Sequence, residues 1–201
     1  YNWKLPNSYI NDARDYLKKA RKNPDEVQKY SKLAIEASND AIKSVVPYKK
    51  GELKGIWLRP TETSEAEIIA TLNRLQQTGI DNVFIETYFH GKTIFPSKTM
   101  MAYGFTPQYE KFTGIDPLEI WIREAHKRGI KVHTWFETFY AGNQSPNDNP
   151  NSILAKNPSW GNKTKKDYAS TLPSKSASEH NGYFLDPANP YVQDFLLKLT
   201  D

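Results

Sequence analysis

Cysteine is absent from this 201-residue chain. That excludes disulfide staples and thiolate metal sites and leaves the compartment undecided. No apolar run approaches the ~20 residues that cross a bilayer, so membrane insertion is not expected. A dominant charge is missing too: 27 Lys and Arg face 23 Asp and Glu, for a net +4. The two signs alternate along most segments, which argues against a nucleic-acid-binding stripe. There is no phosphate-binding glycine loop. The turn after the first strand reads Arg59-Pro60-Thr61-Glu62, not a dinucleotide fingerprint, and no P-loop occurs. His90, His126, His133 and His180 lack paired ligand spacing, so neither metal nor cofactor is expected. The chain opens at Tyr1, so the lack of a leader carries no weight.

Aromatic residues, by contrast, are plentiful, at 13%. Three segments share one side-chain pattern: Gly55–Arg59, Val83–Tyr88 and Lys131–Glu137. Strand side chains alternate faces with a period of two. One face then carries Ile56, Leu58, Val83, Ile85, Thr87, Val132, Thr134 and Phe136, and suits packing under helices. The other carries Trp57, Arg59, Phe84, Glu86, Tyr88, His133, Trp135 and Glu137. Its charges gather at the strand C-termini. Ionised groups are costly to bury without partners, so this face reads as a site rather than as packing.

The surrounding sequence supplies helices. Residues 7–46 read as two amphipathic helices, the first capped at Asn7 or Ser8 and the second restarting at Asn23-Pro24 with Glu26 three on. They form an αα-hairpin followed by the linker Pro47–Gly51. Strands at 54–59, 82–88 and 131–137 then alternate with helices opening at Ser64 and Asp116 and stopping at Gly79 and Gly129. The segment Thr138–Gly182 reads as a long connection, Tyr183–Asp186 as a structured stretch, and Asn189-Pro190 as the start of a last helix. Strand–helix alternation implies parallel strands with right-handed crossovers. The expectation is an α/β protein: the N-terminal half of a (β/α)8 TIM barrel preceded by an αα-hairpin. Its domains would be 1–50, hairpin and linker, and 51–201, a partial barrel cut before strand four. An open three-layer sheet is the alternative from pattern alone.

Several stretches carry a family likeness. Gly55–Leu58, Phe84–Ser97, Gly114–Leu118, Glu124–Trp135 and Leu185–Pro190 resemble, in order, the bacterial glycosyl-hydrolase-like family 10 domain. The resemblance implies a TIM barrel, a secreted or cell-envelope-associated protein, and cleavage of glycosidic bonds in a polysaccharide. At Glu86-Thr87-Tyr88 the chain departs from the Gln-Val-Arg common in that family. The family's next strand brings aspartates, which this chain does not reach.

Glycosidases commonly set two carboxyl groups about the scissile bond. Glu86 and Glu137, at the ends of adjacent strands, are the catalytic candidates. Arg59, Tyr88, His90, His133, Trp135 and Tyr140 are the substrate-binding candidates. Arg59 and His133 would orient sugar oxygens, Tyr88, Trp135 and Tyr140 would stack on rings, and His90 lies in a loop where barrels recruit ligands. Alternatively the two glutamates pair with Arg59 or His133 and only shape the pocket. The expected partner is a polysaccharide or oligosaccharide, acted on by a hydrolase. A glycan-binding module without catalysis, or a helical adaptor on a structural base, are the competing functions. Open sheet edges would favour self-association of the half barrel.

Overall fold

The computed structural model describes residues 4–45, 52–178 and 181–201. The anticipated linker 47–51 and His180 lie outside the described residues. In chain order the elements are α1 (Lys4–Lys22), α2 (Val27–Val45), β1 (Gly55–Leu58), α3 (Glu65–Gln77), β2 (Asn82–Phe89), β3 (Lys92–Thr93), α4 (Lys98–Ala102), α5 (Pro117–Lys127), β4 (Lys131–Phe136), β5 (Tyr140–Gly142), α6 (Ile153–Lys156), β6 (Lys175–Ser176), β7 (Gly182–Phe184) and α7 (Pro190–Thr200). They form two compact units, Tyr1–Glu52 and Leu53–Asp201.

In the first unit α1 and α2 pack on each other. Their contact is a seam of small residues: Ala13 and Ala20 face Ala34, Ala37 and Ala41, all buried. Alanine combines high helix propensity with a short side chain, so the two backbones approach closely. Helix α1 starts at Lys4, ahead of the expected cap at Asn7 or Ser8, because Pro6 is tolerated in a first turn. Pro24 breaks the helix, and a short 3-10 turn, Pro24–Glu26, joins the two. The Asn23 side chain donates to the Lys19 carbonyl, closing α1 rather than capping the next helix. Glu26 correspondingly pairs with Lys29 instead of completing a capping box.

The second unit is built on a parallel sheet in the order β1-β2-β4, with short β3 antiparallel to the end of β2. Helices α3 and α5 make the crossovers. Ser64 accepts from the Glu67 backbone N–H at the start of α3, and Asp116 from that of Glu119 at the start of α5. Gly79 and Gly129, with φ of 76° and 70°, end these helices in a left-handed conformation that side chains resist. One face of the sheet packs under the helices: Val83 and Ile85 meet Ile68, Leu72, Ile120 and Trp121 in one buried cluster.

The alternation expected from sequence holds for most of these strands and fails at one point. A β-bulge between Glu86 and Tyr88 shifts the register, so that Glu86 pairs with Trp135 but Tyr88 with Phe136. The extra residue turns the end of β2 relative to β4. Phe136 therefore leaves the helix-facing set and stacks on Tyr88, ring centres 4.6 Å apart. Ile56 and Thr134, also assigned to the covered face, are exposed.

The stretch 138–182 is more structured than its composition suggests. It holds β5, α6 and β6, and β5-β7-β6 form a second, antiparallel sheet. Polar sequence hides this because few apolar residues anchor it. Ile153, Leu154 and Trp160 are buried with Tyr88, Met100 and Phe105, and with Val192, Phe195 and Leu196 of α7. Burying each large apolar side chain is worth about 1.5–3 kcal/mol, enough to fix a segment that reads as loop. This second cluster lies over the C-terminal end of β2 and positions the site.

Candidate functional site at the strand ends

The site begins with three residues from three adjacent strand ends. Arg59 follows β1, Glu86 lies in β2 and Glu137 follows β4. The Arg59 guanidinium grips Glu86 with two bonds, one from Nε to Oε2 and one of 2.9 Å from Nη2 to Oε1. The same Nη2 donates to Glu137 Oε1 at 3.2 Å. A planar fork suits such bidentate capture. The Glu86 side chain is fully buried, while Glu137 keeps 15% of its surface and Arg59 38%.

One guanidinium thus serves two carboxylates. Burial pushes the Glu86 carboxyl above its usual range; Arg59 opposes this, and Glu137, within hydrogen-bonding reach, adds to it. Arg59 in turn is held above its ordinary value, chiefly by its hydrogen bond to Glu86. Buried and beside a second carboxylate, Glu86 favours keeping its proton.

Glu137 is aimed from both sides. Its backbone N–H donates to the Tyr88 carbonyl, and its Oε2 accepts the His90 backbone N–H at 2.8 Å. That N–H points inward because β2 and β3 are joined by a tight turn in which His90 (φ 51°) and Gly91 (φ 70°) are both left-handed. A two-residue hairpin of this hand requires such angles, and a histidine there is strained.

A cleft of about 120 Å³ opens beside this turn, lined by His90, Lys92, Tyr109, Asn143, Asn149 and Ile153 among others. Lys92 is fixed by both oxygens of Glu110 at 2.8 Å. Tyr109 stacks on Phe89 at 4.8 Å, and Arg59 lies over the other ring, 4.7 Å from the Phe89 centre. Burial raises the Tyr109 phenol above its ordinary value. The cleft thus joins the carboxylate pair through a ladder of cations and rings. Its walls offer amides, a phenol and one apolar floor, a surface suited to a polyhydroxylated ligand.

The other residues named from sequence are distributed unevenly. His90 lines the cleft, and Tyr140 meets its ring at 5.3 Å. Trp135 lies level with Glu86, is 38% exposed, and meets Trp57 edge on at 5.0 Å. Tyr88 is fully buried, its ring against Phe136 and its hydroxyl without a hydrogen-bond partner. Burial pushes that phenol up, and nearby Glu137 adds to the shift. His133 sits lower in the sheet: it stacks on Phe84 at 4.5 Å and shares a 2.8 Å hydrogen bond with Asn82, whose amide donates to Asp81. It is not gathered with the glutamates. Tyr109, Asn143 and Asn149 carried no sequence signal beyond lying in connections after strands, where barrels recruit ligands. Among the described residues no cluster of three or more His, Asp or Glu is placed to hold a metal ion.

The family model for glycosyl hydrolase-like 10 matches residues 52–201. The chain belongs to the glycosyl hydrolase-like 10 family. Glycosyl hydrolase DigH of Escherichia coli K12 is 29% identical over 175 residues, covering 74% of this chain and 38% of that protein. Glycosyl hydrolase YngK of Bacillus subtilis 168 is 26% identical over 166 residues, covering 73% and 29% respectively. The chain therefore spans well under half the length of these curated relatives. No solved structure matches it significantly. In this family member Arg59, Glu86 and Glu137 form one linked charged cluster at the strand ends.

Proposed function

We propose that the chain forms the first part of a (β/α)8 barrel in a secreted or envelope-associated glycoside hydrolase, with its polysaccharide bound in the cleft beside Glu137. The observation that carries this reading is the convergence of Glu86 and Glu137 on Arg59 at the strand C-termini, next to a polar cleft. In this reading Glu137, the more accessible acid, gives a proton to the leaving oxygen. Glu86, buried behind it and inclined to keep its own proton, resupplies it. Arg59 holds both groups still and absorbs charge when the proton leaves. Trp135 and Trp57 offer exposed ring surface for stacking, and Tyr140 and His90 wall the cleft. Tyr88 contributes as a buried wall rather than as an open platform.

Glu86 and Glu137 lie within hydrogen-bonding reach of each other, closer than the roughly 5–9.5 Å separation of carboxylates that flank a glycosidic bond. They work as one proton-holding unit on one side of the sugar. The opposing carboxylate is then supplied by the further length that the relatives possess. A second reading has a specific observation behind it: both glutamates are engaged by Arg59, which equally suits a glycan-binding module without turnover. Glu137→Gln separates the two. Under hydrolysis it lowers turnover of a cell-wall polysaccharide by roughly 10²–10⁴-fold and leaves retention on that polymer intact. Absence of turnover by the whole wild-type protein on every polymer it retains would establish the binding module instead.

A further inference from the structure

Two ring contacts lead away from Glu137. His90, whose backbone holds that carboxylate, meets Tyr140, and Tyr140 meets Phe184 at 5.1 Å. Phe184 walls a second hollow of about 350 Å³, lined further by Asn162, Lys163, Lys175 and Ser176. A hollow of this size lies in the range that holds one small ligand unit, about 300–1,000 Å³. Its strands belong to the sheet β5-β7-β6, and β5 also lines the first cleft. The two hollows therefore share one scaffold and one aromatic ridge.

The charge of this lobe leans positive. Residues 162–182 contain four lysines against two acids, Asp167 and Glu179. Asp167 accepts from the hydroxyls of Ser174 and Thr164, two residues that line the hollow, both at 2.8 Å, so it is held ionised and its charge offsets one of the four lysines. Lys163 is pinned by the Ser170 carbonyl at 2.5 Å, a neutral acceptor that leaves the ammonium charge uncompensated. Lys175 is exposed on β6, and among the described residues it pairs with no carboxylate. Two uncompensated ammonium groups beside a ring wall, a hydroxyl and an amide recognise a sugar that bears an anionic group.

We infer that this hollow is a distal subsite for a negatively charged sugar unit, carrying carboxylate or phosphate, of the same polymer that reaches Glu137. The inference rests on the glycan-binding reading above. Affinity electrophoresis in gels containing defined polymers tests it. One pair is polygalacturonate and its carboxyl-reduced, neutral form; the other is phosphomannan and dephosphorylated mannan. The expected result is at least tenfold tighter retention on the charged member of one pair, which also tells carboxylate from phosphate. Lys163→Gln with Lys175→Gln removes that preference and leaves retention on the neutral polymer unchanged. Lys175→Gln alone, which breaks no hydrogen bond, weakens it in part. Lys165→Gln with Lys166→Gln, outside the hollow, preserves it. Equal retention of charged and neutral forms, or a preference that survives loss of Lys163 and Lys175, overturns the subsite while leaving glycan binding standing. Retention on none of the four polymers overturns the subsite and counts against the glycan reading itself.

Discussion

At the scale of single residues the decisive arrangement is one cation between two acids. Glu86 is ionised at a cost, because it is buried and has Glu137 beside it, and Arg59 offsets only part of that cost. Glu86 consequently gives up its proton at higher pH than an ordinary carboxyl group does. If the protonated cluster is the active form, kcat/KM falls on the alkaline side as Glu86 ionises. Glu86→Gln removes that group and leaves the Arg59 guanidinium to Glu137 alone. The alkaline limb of the pH–rate profile that Glu86 sets is then lost or moves to lower pH. A profile measured on the full-length variant and wild type checks this, and a limb that stays in place would separate Glu86 from the chemistry.

At the scale of elements, two close fits carry testable consequences. Gly182 begins β7 directly beneath Tyr140, and a Cβ there would overlap the Tyr140 ring. Gly182→Ala must push the ring aside, at about 1–3 kcal/mol of stability. It would also disturb the Tyr140 contacts with His90 and Phe184, which a urea unfolding midpoint and polymer retention detect together. On the helix side Glu124 of α5 gathers Lys127, Arg128 and Arg123, at 2.6, 3.0 and 3.2 Å. These bonds, the one to Lys127 foremost, pull it down to about 2. Arg128 reaches Asn73 of α3 and Arg123 reaches Glu65, so the cluster fastens α5 to α3. A carboxyl group lowered on folding stabilises the native state fully above its unfolded value of about 4.3. That contribution drains away as pH falls toward 2. Glu124→Gln should therefore lower the urea midpoint at pH 7 and converge on wild type near pH 2. The same elements show what sequence reveals. Period-two alternation exposed β1, β2 and β4, because one face of each meets helices and the other bears polar and aromatic groups. It also brought Arg59, Glu86 and Glu137 to one edge. It missed the bulge after Glu86, since an extra residue in one strand leaves no mark on composition, and so misplaced Phe136. It set His133 among the site residues because alternation fixes the face but not the height, and Asn82 holds that ring lower in the sheet. Sheet β5-β7-β6 escaped notice because strands of two or three residues are too short to show a period.

At the scale of the whole molecule the two units differ in what holds them. The unit Leu53–Asp201 has two buried clusters, one under α3 and α5 and one around Tyr88, Trp160 and Phe195. The unit Tyr1–Glu52 has an alanine seam, with Ile35 and Ile42 63% and 65% exposed. A methyl group buries far less apolar surface than an isoleucine, at about 25 cal/mol per Å². Segments below ~40–60 residues seldom stabilise themselves without staples, and this chain has no cysteine to make them. The larger unit should then fold by itself, and the smaller should be at most marginally helical by itself. Residues 53–201 produced alone are expected to unfold cooperatively in urea and to keep the polymer retention of the longer chain. A peptide of residues 4–45 is expected to show much less helical circular dichroism at 25 °C than its two 19-residue helices would give if fully formed. A fully helical peptide that melts cooperatively would mean that the alanine seam suffices. Loss of folding in 53–201 would mean that the hairpin completes the larger core, and the Arg59 cluster would then depend on residues far from it in sequence.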